Sequence, residues 1–282
     1  MLNPIALLLI SALSLVSSFS VAHGAVHGTG HYDVDVVPLT LPSDQVKALL
    51  PEGLELASEV QAGGVPAGRH LVLLTFGYQR RVSPRPVPLW SWSYHEFTAT
   101  VPFVRFTGGD GKIFHHLFRL YLDHHRAILA GRAYGFPKLY STVYTGTFDF
   151  GPRRERTYDL TSRDDGSNLI RAVFSHEAAR EPRLLRELPN FGIVSEVFGT
   201  TSAPLVQKSA EGHWICADFL WETAEAKGFP IDATVTSHVE ELGYDAVYRT
   251  EGLDRTPWGA FRMSVDWTLS TPRACPRPRP GS

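Results

Sequence analysis

The alternation of apolar and polar side chains between Ser93 and Leu122 is the feature that most constrains the fold of this chain. Phe97 and Ala99 alternate with Glu96 and Thr98, and the same period of two continues on either side of them. Such a period is typical of a β-strand, in which successive side chains point to opposite faces. The polar sequence TGGDGK in the middle of this stretch predicts a hairpin turn. The region is therefore predicted to be an antiparallel pair of strands.

Similar strand-like runs recur along the chain, at 33–39, 70–79, 141–150, 156–163, 168–178 and 260–270. Helical patterns are short, at 43–53, at 181–189 and in part of 213–226. The sequence shows neither a repeat nor an internal linker. These patterns predict one β-dominated α+β domain over residues 25–270, with strands that close or nearly close into an antiparallel β-barrel and a few short helices.

The two ends of the chain differ in composition from this domain. Ile5 to Val16 is an apolar run of signal-peptide length, and small residues follow it, so that cleavage after Ala22 or Gly24 satisfies the small-residue rule. Residues 1–24 are thus predicted to be a leader for the secretory pathway. The alternative is a hydrophobic segment buried in the fold or in an oligomer of a cytoplasmic protein. Residues 271–282, rich in Pro and Arg, are predicted to be a disordered tail.

Several classes of partner and site are disfavoured by the charge and by the metal-binding residue types. The net charge of −2 gives no reason to expect nucleic acid or an acidic membrane as partner. His23, His27 and His31 are spaced by four, but the glycines between them argue against the helix that would align them. We predict no metal site. Cys216 and Cys275 could form one disulfide in an oxidising compartment, and a free buried thiol at Cys216 is an equal alternative.

Lys138 is the residue with the most unusual surroundings. It is one of five lysines, and apolar or aromatic residues flank it on both sides in GFPKLY. A free lysine has a pKa of about 10.4, and full burial lowers that value by roughly 3–5 units. Burial alone can therefore produce a neutral, nucleophilic amine at pH 7. The alternative is a surface lysine whose stem lies over apolar groups.

Three segments resemble the acetoacetate decarboxylase family. YLDHHRAILAGRAYGFPK, ending at Lys138, is similar to the active-site segment of that family. LPSDQVKALLPEGLEL is similar to an early helix, and YHEFTATVPF to the strand that carries a pocket glutamate. The likeness extends over about residues 30–150 and is weak beyond them.

The resemblance implies a role for particular positions. Lys138 takes the place of the Schiff-base lysine, and Glu96 the place of a glutamate in the pocket. We expect Phe136, Leu139 and Tyr32 to contact the substrate. The family's mechanism requires no metal or organic cofactor. The resemblance also implies a homo-oligomer, without stable membrane association once the leader is removed.

The chain departs from the family pattern at four places. Leu139 replaces a second lysine that directly follows the nucleophile, and Ala133 replaces a glutamate after Gly-Arg. A second glutamate position falls at Thr75. The arginine expected before the first strand is absent, with His31 and Tyr32 in its neighbourhood. Burial can replace the effect of the second lysine on the pKa of Lys138. The arginine and the glutamates would help to place the substrate carboxylate, so their loss favours a substrate larger than acetoacetate, such as a polyketide-derived 3-oxo acid.

The sequence thus predicts a decarboxylase that acts on a 3-oxo acid through an imine at Lys138 and releases CO₂ and a ketone. Two alternatives stay open. An aldolase or dehydratase could use the same imine, and a secreted barrel could bind small apolar molecules without catalysis.

Overall fold

The computed structural model describes residues 26–60, 63–84, 91–133, 135–198, 204–209 and 211–275. Within them the chain forms three α-helices, α1 (Ser43–Ala48), α2 (His125–Ala133) and α3 (Phe191–Phe198). The strands of the same residues are β1 (Val26–Pro42), β2 (Leu54–Leu56), β3 (Arg69–Pro84), β4 (Trp92–Phe106), β5 (Phe114–Leu122), β6 (Leu139–Phe150), β7 (Arg153–Ser162), β8 (Asn168–Glu177), β9 (Arg183–Leu184), β10 (Leu205–Lys208), β11 (Trp214–Ala217), β12 (Phe219–Trp221), β13 (Lys227–Pro230), β14 (Asp232–Ser237), β15 (Ala246–Thr250), β16 (Phe261–Ser270) and β17 (Arg273–Ala274).

The longest strands close into a barrel. β1 pairs antiparallel with β16 on one side and with β3 on the other, and β4 and β5 follow β3 in the same manner. β10 joins β5 in parallel and β11 in antiparallel orientation. β11 and β12 then pair with β17 and β16, which completes the ring. The prediction of a β-dominated barrel with a few short helices is confirmed, with parallel pairings at β5–β10 and β5–β6 in an otherwise antiparallel arrangement.

A second sheet covers part of the barrel's outer face. It contains β6, β7, β8, β14 and β15, all antiparallel. Phe76 and Phe97 of the barrel pack against Tyr158 and Phe174 of this sheet in one apolar cluster. Interdigitation of this kind buries one face of each sheet.

The barrel interior holds a separate apolar cluster, into which α2 and α3 pack. Because side chains alternate along a strand, neighbouring residues of β1, β3 and β4 face different regions. Tyr94 and Glu96 of β4 face the lumen, whereas His95 and Phe97 face the second sheet. This alternation positions Tyr32, Gln79 and Glu96 in the site described below.

The hairpin predicted between 93 and 122 is confirmed by the antiparallel register of β4 and β5. The two helices predicted at 181–189 and within 213–226 are wrong. The first region contains β9 and a short 3-10 turn over Leu185–Glu187, and the second contains β11 and β12. Pairing with neighbouring strands overrides the local helical pattern in both places.

The predicted tail starts too early. Arg273–Ala274 form β17 on β11, and Cys275 is joined to Cys216 by a disulfide with 5.0 Å between the Cα atoms. The strand pairing and the disulfide tie residues 271–275 to the barrel. The rest of the tail and the predicted leader lie outside the described residues. Among the described residues, no helix has the length and apolar character needed to cross a membrane.

Candidate active site

Lys138 lies in the tight connection between α2 and β6. Gly135 has a positive φ of 84°, a conformation that glycine adopts without strain. The backbone N–H of Phe136 donates to the carbonyl of Gly131 at 3.0 Å, and the N–H of Lys138 to that of Phe136 at 2.8 Å. Arg132 donates from Nε to the carbonyl of Lys138 at 2.9 Å. The backbone of the lysine is therefore fixed from both sides.

Gly131 leaves the room that the lysine stem occupies. A Cβ atom at this position would lie 2.2 Å from Cε and 2.3 Å from Cδ of Lys138. Contacts that close do not occur between carbon atoms, so a larger residue here would displace the stem. Glycine inside a helix is unfavourable by about 0.5–1 kcal/mol relative to alanine. Its presence in α2 is explained by this close approach.

The side chain of Lys138 lines a cavity of about 180 Å³ in the barrel lumen. The walls are mostly apolar and include the aromatic side chains of Tyr32, Trp92, Phe198, Phe219, Trp221 and Trp267. Some of these rings stack on one another, with 5.8 Å between the centroids of Tyr32 and Trp221. No arginine occurs among the described residues that line this cavity. The amine is thus placed in an apolar space with few polar neighbours.

Burial lowers the pKa of Lys138, and the nearby carboxyl group of Glu96 partly opposes this effect. The residue as a whole keeps some exposure, but its amine end is enclosed by the cavity walls. An unpaired ammonium in such a place is disfavoured because it gives up its hydration. The arrangement therefore favours the neutral amine.

Glu96 faces the same cavity and is 8% exposed. Burial raises the pKa of its carboxyl group, while Lys138 and a hydrogen bond from Gln79 act in the opposite direction. Gln79 donates from Nε2 to Oε1 of Glu96 at 3.0 Å and accepts from Nε1 of Trp267 at 2.7 Å. The indole therefore orients the amide, and the amide orients the carboxyl group.

Tyr32 packs beside this pair. Its hydroxyl donates to the backbone carbonyl of Glu96 at 3.4 Å and lies 3.5 Å from Oγ1 of Thr75, which is itself 2.6 Å from Oγ1 of Thr98. Burial, first, and Glu96, second, raise the pKa of Tyr32 well above its ordinary value, so the phenol stays neutral. Gly77 makes room for the ring, because a Cβ there would lie 2.4 Å from Cε2 of Tyr32.

Four of the five predicted site residues come together here, namely Lys138, Glu96, Phe136 and Tyr32. Leu139 does not line the cavity. Its side chain packs against the apolar cluster between the barrel and the second sheet, because it follows Lys138 directly in an extended segment and points the other way. The expectation that Leu139 contacts substrate is corrected accordingly.

Three residues of the site, Gln79, Trp267 and Gly131, were not predicted from the sequence. Strand parity could have placed Gln79 on the face of Thr75, but only the closure of the barrel brings Trp267 to it. Of the three spaced histidines, His27 lines the cavity, His31 bonds Asp266 on the outer face, and His23 lies outside the described residues. Burial, followed by Lys138, lowers the pKa of His27. Among the described residues, no group of three or more His, Cys, Asp or Glu side chains could hold a metal ion.

A family model described as acetoacetate decarboxylase matches residues 34–210. No curated protein sequence matches the chain. Similar solved structures include the acetoacetate decarboxylase of Legionella pneumophila, which is 14% identical with a TM-score of 0.52 and coverage of 94% of this chain and 95% of that one.

Two further structures are similar over most of their length. One is an acetoacetate decarboxylase-like enzyme from Sphingomonas wittichii RW1, 12% identical, with a TM-score of 0.57 and coverage of 93% and 96%. The other is the enduracididine biosynthesis enzyme MppR complexed with the condensation product of pyruvate and imidazole 4-carboxaldehyde, 13% identical, with a TM-score of 0.54 and 92% of each chain covered. At these identities the likeness shows the fold alone.

Proposed function

The chain belongs to the acetoacetate decarboxylase family, and we propose that it decarboxylates a 3-oxo acid through an imine formed at Lys138. The observation that carries this proposal is the placement of the lysine amine, which lies in an apolar cavity where burial lowers its pKa. A neutral amine is the form that attacks a ketone. No metal or organic cofactor takes part in the proposed reaction.

In the first stage, Lys138 attacks the ketone carbon, and proton transfer from nitrogen to oxygen gives a neutral carbinolamine. Glu96, whose raised pKa favours the protonated form, gives its proton to the carbinolamine hydroxyl, which leaves as water. The products are an iminium ion on Lys138 and a carboxylate on Glu96. Gln79 holds Glu96 in place through its hydrogen bond.

In the second stage, the substrate carboxylate leaves as CO₂, and the electrons of the broken C–C bond neutralise the iminium nitrogen. The enamine takes a proton from solvent at carbon and becomes an iminium ion again. Water then adds to it, with Glu96 accepting a proton, and the ketone is released. Lys138 ends neutral and Glu96 ends protonated, so the cycle closes with one proton consumed.

The cavity also indicates what the rest of the substrate resembles. Aromatic walls favour an aromatic or bulky apolar group next to the ketone. The carboxylate would meet no arginine among the described lining residues. An apolar setting destabilises a carboxylate relative to neutral CO₂, which assists its loss. We therefore place large, apolar 3-oxo acids ahead of acetoacetate as substrates.

The same absence of an arginine supports a second candidate, an aldol-type condensation or dehydration through the Lys138 imine. Such a reaction needs no carboxylate on the substrate. The similar structure of MppR was solved with the condensation product of pyruvate and imidazole 4-carboxaldehyde. That observation concerns MppR, and it makes aldehydes worth including in the test.

Borohydride trapping tests both candidates. The protein is incubated with acetoacetate, 3-oxohexanoate or 3-oxo-3-phenylpropanoate, or with pyruvate and an aromatic aldehyde, while CO₂ is measured, and is then reduced and analysed by peptide mass. We expect a reduced adduct on Lys138 and faster CO₂ release from the phenyl substrate than from acetoacetate. An adduct with a condensed product and no CO₂ would favour the aldol candidate.

A matched control uses two lysines. Lys138→Ala should abolish both the adduct and turnover, whereas Lys112→Ala, at an exposed position, should leave both unchanged. If no lysine is modified and every substrate survives, the non-catalytic binding barrel becomes the better interpretation. Ligand-induced stabilisation that is equal in wild-type protein and Lys138→Ala would support that outcome.

We also propose that the protein works in the secretory pathway or outside the cell. The disulfide between Cys216 and Cys275 supports this, because such bonds persist in oxidising compartments. Mass analysis of protein secreted by its host would test it, with a mature N-terminus after Ala22 or Gly24 as the expected result. Recovery of the full chain from the cytosol would contradict it.

A further inference from the structure

A second cavity lies on the opposite side of the strands that carry the active site. Asp33 of β1 and His95 of β4 are direct neighbours of Tyr32 and Glu96, and they point away from the lumen. They line a space of about 370 Å³ between the barrel and the second sheet. An adjoining space of about 860 Å³ shares Asp33, Thr147 and Arg262 with it. We call the two spaces together the inter-sheet cleft.

Cations outnumber anions at the inner end of this cleft. Asp35, 1% exposed, forms an ion pair with Arg156, and its Oδ1 also lies 3.6 Å from Nε of Arg262. Asp33 pairs with Arg80 at 2.5 Å. Three guanidinium groups thus share two carboxylates. Among the described residues, the buried Nε of Arg156 has no hydrogen-bond partner, and the same is true of Oδ2 of Asp33 and of both carboxylate oxygens of Asp35.

The outer part of the cleft is also influenced by positive charge. His176 lies there with Arg154, Arg180 and Arg262. Burial lowers the pKa of His176 most, and the three arginines lower it further in the order Arg262, Arg154 and Arg180. Its buried Nδ1 has no hydrogen-bond partner in the part of the chain that the structure describes.

Carboxylates are present at the outer part as well, and two of the arginines are already paired. Glu222, Glu225 and Asp266 line the same space. Arg154 donates to Asp149 at 2.7 Å, and Arg180 to Asp254 at 3.0 Å. The positive charge therefore concentrates at Arg156 and Arg262, and His176, whose lowered pKa favours the neutral imidazole, adds a ring nitrogen without a partner among the described residues.

We propose that the inter-sheet cleft binds a small multivalent oxyanion, a phosphate group or a polycarboxylate, between Arg156, Arg262 and His176. Such an anion would compensate the one positive charge by which the three guanidinium groups exceed the two carboxylates. It would also accept a hydrogen bond from Nε of Arg156. Arginine is well suited to this because its planar fork donates two parallel hydrogen bonds to phosphate or carboxylate oxygens. Thr145 and Thr147 line the inner space and supply hydroxyl donors. The site is independent of the Schiff-base lysine, since the strands of the barrel separate the two.

Titration calorimetry with pyrophosphate and with citrate tests the proposal, with sodium chloride at matched ionic strength as the blank. We expect saturable binding of one anion per chain for at least one of the two, and none for chloride. The relative affinities separate phosphate from polycarboxylate chemistry. Saturable binding that is unchanged in Lys138→Ala would show that the anion does not occupy the active-site cavity. Heats that match the chloride blank for both anions would overturn the proposal.

Adjacent arginines of β7 give a matched pair of variants. Arg154 lines the cleft, whereas Arg153 pairs with Asp232 outside it. Arg154→Gln should weaken anion binding about threefold, because it removes a positive charge that lines the outer space beside His176 without removing a ligand of the anion, while Arg153→Gln should change it little. Both are largely exposed residues, so folding should survive. Thr147→Val provides a neutral second variant, expected to weaken binding less than Arg154→Gln. Equal weakening by Arg153→Gln and Arg154→Gln would indicate general surface attraction and overturn the site.

Discussion

The same strands line the lumen cavity and the inter-sheet cleft, but buried titratable groups favour their neutral forms in the lumen and form ion pairs in the cleft. In the lumen, Glu96 is the one acidic side chain among the described residues that line the cavity with Lys138, and burial favours the neutral form of both groups. In the cleft, Asp35 is buried between two guanidinium groups with which it forms ion pairs. The difference follows from the number of opposite charges around each group and from their distance.

The two faces of β1 and β4 thus serve different purposes. A residue of β1 or β4 faces one region and its immediate neighbour faces the other, so the same strands line both the apolar lumen cavity and the charged inter-sheet cleft. In the inter-sheet cleft, ion pairs join the barrel to the second sheet. In the lumen cavity, the amine of Lys138 lies in apolar surroundings that favour its neutral form, which is the form that imine chemistry needs.

The largest effect should come from removing the carboxylate of Asp35, which pairs with the arginines of the inter-sheet cleft. Asp35→Asn leaves the partly buried Arg156 and Arg262 without their shared carboxylate and should lower the free energy of unfolding by about 3 kcal/mol. Urea denaturation would measure it. Asp266→Asn, at a largely exposed position, is the control and should change stability by less than about 1 kcal/mol. Equal stability of the two variants would show that Asp35 does not hold the arginines as described.

The next effect concerns the space around the lysine stem. Gly131→Ala places a methyl group on Cδ and Cε of Lys138, and the displaced amine should react about 100-fold more slowly. Decarboxylation rates and borohydride trapping would measure this. Gly192→Ala in α3 is the control, since a Cβ there meets no atom within 4 Å. It should leave activity unchanged and slightly raise stability. Full activity of Gly131→Ala would mean that the stem can take another path.

Replacing the amine should stabilise the protein while it abolishes turnover. Lys138→Met removes a buried, poorly paired polar group and should raise the free energy of unfolding by about 2 kcal/mol at pH 7. The pKa of Lys138 is lower in the folded than in the unfolded state. Between these two pKa values the unfolded state binds more protons, so the free energy of unfolding of the wild-type protein rises with pH. The advantage of Lys138→Met should therefore shrink as pH approaches 10.

Thermal unfolding at several pH values would measure this trend. Lys47→Met, at an exposed position of α1, is the control and should show no such trend. A destabilised Lys138→Met variant would indicate that the lysine is charged and well paired in the folded protein.

The sequence predicts much of this because alternation and local chemistry are readable within one segment. The β4–β5 hairpin follows from its period of two. The apolar flanks of Lys138 single it out, and its assignment as the Schiff-base lysine comes from the resemblance of the segment that ends at it. For Glu96 the same alternation shows which residues share its face, but it does not show whether that face meets a lumen or water. Only closure of the barrel decides that question.

Contacts between distant segments were beyond the sequence analysis. Trp267 and Gln79 are 188 residues apart and meet because β16 and β3 both pair with β1. The pairing of Cys216 with Cys275 also depends on β11 lying beside β17, and it stayed open until that was known. Leu139 was misassigned because nearness to Lys138 in sequence places it on the other face of the chain.

The smallest and most specific effect should come from the amide that orients Glu96. Gln79→Met removes the hydrogen bond that lowers the pKa of Glu96, so that pKa should rise further. The rate should fall about tenfold, the usual consequence of losing one hydrogen bond to a charged group. Since protonated Glu96 donates its proton in the proposed dehydration step, activity declines as Glu96 loses that proton, and this alkaline limb should move to higher pH. Gln207→Met, a buried glutamine that does not line the cavity, should move neither the rate nor the limb. A slower Gln79→Met enzyme with an unshifted limb would reduce Gln79 to a packing role and assign the limb to another group.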